Sequence, residues 1–248
     1  MAMEAPPPMM PVVDDCCTDD TGWYFRGFLG TTNYDLDRIS NPAFDTADFT
    51  FFDLGYESSG FGGLGVGWKF NNWLRFDTTW EYRSKSTFHG LDRYVGPGFS
   101  GTNQYQATMK SWVWMNSLYW DVFCWNGFKP YVGAGIGYAA NYIDDFSDIN
   151  TPNLGVAYGD GHREGNFAWS VTAGLGYQVN NRVTLDLAYR YLDLGEAMSG
   201  NIRAYDGSGG VAEGLKFEDV HSHDLMLGVR YKFGGCCDQP VAMPVAFK

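Results

Sequence analysis

The chain has no apolar run approaching the roughly 18 residues that a membrane-spanning helix requires, so any membrane role must be carried by strands. A secretory n- and h-region is also missing from Met-Ala-Met-Glu-Ala-Pro-Pro-Pro, and the expectation is a mature form whose export is inferred. Base is in short supply, with 17 Lys and Arg against 29 Asp and Glu, a net charge of -12. That balance leaves no basic patch for nucleic acid, and no glycine loop of the phosphate-cradling kind is present. Asp144, Asp145 and Asp148 lack the glycine and spacing of a calcium loop, so no metal and no cofactor is expected. A mean hydropathy of -0.27 suits a soluble protein. A membrane wall whose residues alternate between lipid and lumen also averages towards zero, so this value does not exclude one.

Aromatic residues make up 17% of the chain and are accompanied by 32 Gly, a pairing that suits aromatic girdles and close-packed strands. Eight segments combine β-branched or aromatic residues with period-two alternation or glycine runs. They are Trp23 to Tyr34, Phe61 to Phe70, Leu74 to Phe88, Ser111 to Phe123, Lys129 to Ile143, Phe167 to Val179, Val183 to Leu194 and His221 to Phe233. Each is long enough for a tilted strand to cross a bilayer, which takes roughly 9 to 11 residues. The connections alternate strictly. Asn71-Asn72-Trp73, Trp125-Asn126-Gly127-Phe128 and Asn180-Asn181-Arg182 are tight turns, whereas Asp35 to Gly60, His89 to Lys110, Asp144 to Asn166 and Gly195 to Val220 are long, polar segments. Short turns on one side and long loops on the other predict an all-β, eight-stranded antiparallel up-and-down transmembrane barrel with periplasmic turns and extracellular loops. The barrel is placed at residues 22–233, between tails at 1–21 and 234–248.

Alternation assigns the faces. In the third segment Leu74, Phe76, Thr78, Trp80 and Tyr82 point out, and the charged set points in. The fourth fits less well, because Asn116 shares a face with Trp114, Leu118 and Trp120, which suggests a bulge or a different register. Arg26, Lys69, Arg75, Arg83, Lys85, Arg190, Arg230 and Lys232 are assigned to the lumen, facing Asp77, Glu81, Asp121, Asp186 and Asp224. Eight strands enclose room only for side chains, and charges there must pair, so the expectation is a plugged barrel.

Several stretches resemble the opacity-protein and OmpA-like family of small outer-membrane barrels, of the alphaproteobacterial type. They are Gly22-Trp23-Tyr24-Phe25-Arg26-Gly27, Tyr119-Trp120-Asp121-Val122, the run Lys129 to Gly137, Leu185 to Gly195 with Tyr189-Arg190-Tyr191, and the closing run His223 to Phe233. The resemblance spans Gly22 to Phe233, and the strand-five run and the closing strand are its more specific parts. It implies an integral outer-membrane location, with lipid and lipopolysaccharide as surroundings, more than it implies a reaction. Family barrels usually finish at a terminal aromatic, whereas here Phe233 is followed by residues 234–248.

Acid is concentrated in the four long segments and in the amino-terminal tail, whose Glu4, Asp14, Asp15, Asp19 and Asp20 meet no base. Of 5 cysteines, Cys16-Cys17 and Cys236-Cys237 form vicinal pairs just outside the first and last strands. Those strands are neighbours in a closed barrel, so one or two disulfides between the pairs are expected, with connectivity left open. Metal binding is the rival reading, but no nearby His completes a zinc set. Cys124, in a turn, is read as a small apolar residue. The Pro-rich tails suit docking to a periplasmic or envelope protein. His221-Ser222-His223 departs from the His-x-Ser order of barrel deacylases and places Ser222 on the face opposite both histidines. No enzyme is therefore expected. The leading functional reading is a structural outer-membrane protein that supports envelope integrity, alone or as a subunit of a larger envelope assembly; a narrow porin for small solutes and a surface adhesin or receptor with acidic loops are the alternatives.

Overall fold

The structure, a computed structural model, describes residues 21–208 and 211–233. Eight strands form its wall: β1 (Gly22–Asp35), β2 (Ser59–Lys69), β3 (Leu74–Gly96), β4 (Phe99–Asp121), β5 (Phe128–Asn150), β6 (His162–Gln178), β7 (Val183–Met198) and β8 (Lys216–Lys232). Consecutive strands pair antiparallel, and β8 returns to β1 through a register running from Tyr24 opposite Lys232 to Asp35 opposite His221. Every wall strand thus has two neighbours and the ring has no free edge, which is the condition for crossing lipid with strands.

The short turns gather at one rim. Asn71 Oδ1 accepts from the Trp73 and Leu74 amides at 3.0 and 2.8 Å, and Asn180 Oδ1 does the same for Arg182 and Val183 at 2.9 Å each. These side chains mimic a backbone turn. At the third turn, Asn126 and Gly127 hold φ of 48° and 83°, the left-handed pair that a two-residue hairpin demands.

At the other rim three wall strands run to 23 residues, about twice what a tilted strand needs to cross a bilayer, and much of the long polar segments turns out to be strand. β3 and β4 run 23 residues each and meet at a Pro97-Gly98 turn, so most of His89 to Lys110 is a hairpin. Within Asp144 to Asn166, β5 continues to Asn150 and folds back through the strand Gly155–Gly159. Alternation restricted to membrane length stops short of these extensions. Their polar outward residues resemble loop composition, but their inward residues are mostly apolar.

One facing assignment changes, and one suggested bulge is absent. The β3–β4 register slips between Arg83 and Ser86, so the phase of β3 shifts there and Lys85 turns outward, 62% exposed and 3.9 Å from Asp145. Lys85 is therefore not a lumen residue. The β4 register is unbroken around Asn116, which lies opposite Thr78 on the outer face, so no bulge explains that residue. Cys124 is disulfide-bonded and is not simply a small apolar filler. Cys16, Cys17, Cys236, Cys237 and the Pro-rich tails lie outside the described residues.

Candidate functional site

The lumen is built in layers. Nearest the turn rim, Arg26 Nη1 donates to Asp77 Oδ2 at 3.0 Å and to the Tyr119 hydroxyl at 2.8 Å, and Arg230 grips both oxygens of Asp186 at 2.7 and 2.8 Å. Arg75 Nε donates to Asp121 Oδ1 at 3.0 Å, while its carbon centre lies 4.1 and 4.4 Å from the ring centroids of Tyr119 and Tyr131. Its two Nη atoms are buried without a hydrogen-bond partner, and these two rings lie against the guanidinium. Lys69 stands 3.9 Å from Asp121. Lys129, which the sequence reading did not include, is buried among them.

Inward glycines make room for the large rings. A Cβ on Gly67 would lie 2.2 Å from the Tyr24 ring, and one on Gly133 would lie 2.3 Å from the Tyr119 ring. The glycines of β2 and β5 are therefore the sockets into which the lumen tyrosines fit.

An apolar layer that includes Phe28, Phe61, Ala188 and Met226 separates this set from a second ionic layer. There Arg83, fully buried, donates through Nη1 to Glu81 at 2.8 Å and through Nη2 to Asp224 at 2.6 Å, and its Nε donates to the Tyr34 hydroxyl at 2.8 Å. Arg190 Nη2 reaches Glu81 Oε2 at 2.8 Å and Asp224 Oδ2 at 2.7 Å. Two cations face two carboxylates with dense hydrogen bonding, which is the arrangement that offsets the several kcal/mol cost of desolvating each charge.

Beyond this layer, Phe88, Met109, Ile143, Phe146, Leu192 and Phe217 fill the interior of the extended wall. The sequence reading missed this apolar cap. Its signal is a reversal of phase: Tyr191 belongs to the outward set, but Leu192 and Leu194 are buried with Asp193 between them. At the opposite rim a pocket of about 40 Å³, lined among others by Lys69, Arg230 and Lys232, ends against Tyr24 and has room for no more than a few waters.

In the extended wall a carboxylate pair stands out. Asp92 is fully buried and accepts from the Asn103 amide at 2.9 Å and the Tyr105 hydroxyl at 2.6 Å. Asp148 has a buried oxygen with no hydrogen-bond partner, and burial, with Asp92 facing it, pushes its carboxyl up to about 7. A carboxyl raised in the folded state binds a proton that the unfolded chain, with its ordinary value of 3.8, releases. Stability of this section should therefore fall as pH rises from about 4 through about 7. Protease resistance of the outer β-section is expected to be higher at pH 5 than at pH 8, and Asp148→Asn should remove most of that difference.

Ser222 is buried, its hydroxyl accepting from Arg83 Nη2 at 3.0 Å, while His221 and His223 lie on the outer face. The fold thus separates this hydroxyl from both imidazoles. It also brings Asp35, at the end of β1, opposite His221.

The family described as outer membrane protein beta-barrel domain matches residues 17–233. An uncharacterized protein of Brucella abortus (strain 2308) is 29% identical, over 86% of this chain and 85% of its own length. A protein of Rickettsia bellii (strain RML369-C) named putative adhesin is 24% identical, over 88% of this chain and 90% of its own. Among solved structures, the outer membrane protein OprG from Pseudomonas aeruginosa superposes with a TM-score of 0.52 at 14% identity, covering 88% of this chain and 98% of that one.

Proposed function

The chain belongs to the outer membrane protein β-barrel family and is an integral protein of the bacterial outer membrane, and from that premise we propose that it is a plugged, non-conducting structural barrel supporting envelope integrity. The observation that carries this reading is the interior itself. Arg83, Glu81 and Asp224 form a closed ionic layer with exposures of 0, 1 and 0%, and the apolar cap seals the wall above them. A diffusion path would need a continuous hydrated surface, which buried charges saturated by one another do not offer. A barrel sealed in this way acts through its outer surface, by filling and stiffening the bilayer and by contacts at its rims.

One observation favours a second reading, contact with another surface. The extended wall presents exposed apolar side chains at its tips, with Leu154 at 90% and Tyr205 at 79%, and one relative carries the name putative adhesin. Large exposed apolar groups on an ordered platform suit recognition.

A deletion strain separates the two. Loss of the chain is expected to raise uptake of a hydrophobic fluorescent dye across the outer membrane, and re-expression should restore the barrier. A chain carrying Leu154→Ser and Tyr205→Ser should restore it equally if the barrel is the structural part. Unchanged dye uptake in the deletion strain counts against the structural reading, and loss of cell attachment with the substituted chain alone would favour the second.

A further inference from the structure

We propose that Asp35, His221 and His223 form a binding site for a divalent transition metal ion, with zinc(II) the best chemical match, which clamps the first and last strands of the barrel at its outer end. The three residues come from β1 and β8, the strands whose pairing closes the ring, and each offers a ligand atom within 4.8 Å of the others. His223 Nε2 already lies 3.7 Å from Asp35 Oδ2. Ligand atoms around a tetrahedral zinc stand about 3.4 Å apart, so small side-chain rotations, chiefly of the exposed Asp35, bring the set to bonding geometry.

The groups around both imidazoles hold them in orientation, as the partners of metal ligands do. His221 Nδ1 faces the Asp219 carbonyl at 3.0 Å; a carbonyl only accepts, so Nδ1 carries the proton and Nε2 keeps its lone pair for a metal. Asp219 holds φ at 55° where the β7–β8 register shifts, and this local irregularity aims its carbonyl at the ring. His223 Nδ1 meets the Tyr189 hydroxyl at 2.5 Å, leaving its Nε2 on the Asp35 side. Tyr191 packs against both imidazoles, with centroids at 5.4 and 5.5 Å, and limits their rotation. Asp193 lies opposite His221 on β7 and adds negative charge beside the set.

Two imidazoles and one carboxylate, with an open position towards solvent, favour zinc(II), copper(II) or nickel(II) over calcium, which prefers an all-oxygen shell. The solvated polar belt that the histidines would otherwise form needs neither a fixed tautomer nor a carboxylate from the far end of the chain.

The test uses the folded full-length chain in detergent, with folding verified by its heat-dependent mobility on gels. Calorimetric titration with zinc(II) is expected to show one site that loses at least about 100-fold in affinity in His221→Ala and in His223→Ala. Asp35→Asn should lose about 10-fold, and His162→Ala should bind as the unaltered chain does. Copper(II) bound to the unaltered chain should show electron paramagnetic coupling to two imidazole nitrogens, a readout that needs no variant to fold. Equal zinc uptake by the unaltered chain and the His221→Ala/His223→Ala variant would place the metal elsewhere, for example at the cysteine pairs, and overturn the proposal. So would copper spectra without two-nitrogen coupling, or no zinc binding at millimolar concentration.

Discussion

Arg83→Ala is expected to remove about 3 to 5 kcal/mol of barrel stability, the cost of leaving buried carboxylates without their counter-ion. Arg83 meets Glu81, Asp224, Thr32, Ser222 and Tyr34 at once, so its loss takes one of two cations from both carboxylates and a donor from three hydroxyl groups inside the wall. Arg190 remains to face both carboxylates, so the layer should lose charge balance without emptying. Adding Asp224→Asn to Arg83→Ala restores that balance and should recover part of the loss, whereas Asp224→Asn alone should destabilise. Urea midpoints of the chain refolded into lipid vesicles measure all three. Lys85→Ala is the natural control: it removes a cation two positions along the same strand, but one that is exposed and 3.9 Å from its partner. If Arg83→Ala shifts the midpoint no more than Lys85→Ala does, the ionic layer contributes nothing to stability.

The contrast between these two residues also shows how far the sequence could be read. Period-two alternation placed Arg75, Asp77, Glu81 and Arg83 together because nothing interrupts the pleat of β3 as far as Arg83. The bulge just beyond it comes from pairing with β4, and no local residue announces it. Short turns were legible because asparagine side chains and an Asn-Gly pair mark them chemically. The extended wall was not, since outward residues such as Gln104, Gln106 and Thr108 read as loop once they leave lipid. Their inward neighbours Tyr105, Ala107 and Met109 are buried, and the inversion of phase between lipid-facing and core-facing positions is the signal that could have found the cap. Lys129 was missed because it follows a turn, where alternation has barely begun. The sequence placed the first and last strands side by side, but the register that sets Asp35 opposite His221 comes from the closing strand pair, and no local residue marks it.

If the barrel is plugged as proposed, it carries no ion current. An ion crossing the wall would have to displace the Arg83 and Arg190 pairs and then pass Phe88 and Phe217, whose rings meet edge to face at 4.9 Å with both side chains fully buried. The first step leaves buried charge unpaired and the second strips hydration with nothing offered in exchange, each a cost of several kcal/mol. The pocket of about 40 Å³ at the turn rim, lined among others by Tyr24, Lys69 and Arg230, has room for no more than a few waters. Single-channel recording from the folded monomer in a planar bilayer is therefore the most direct test. A plugged barrel gives no steps above baseline at either polarity, and steady ohmic current from the monomer would contradict it.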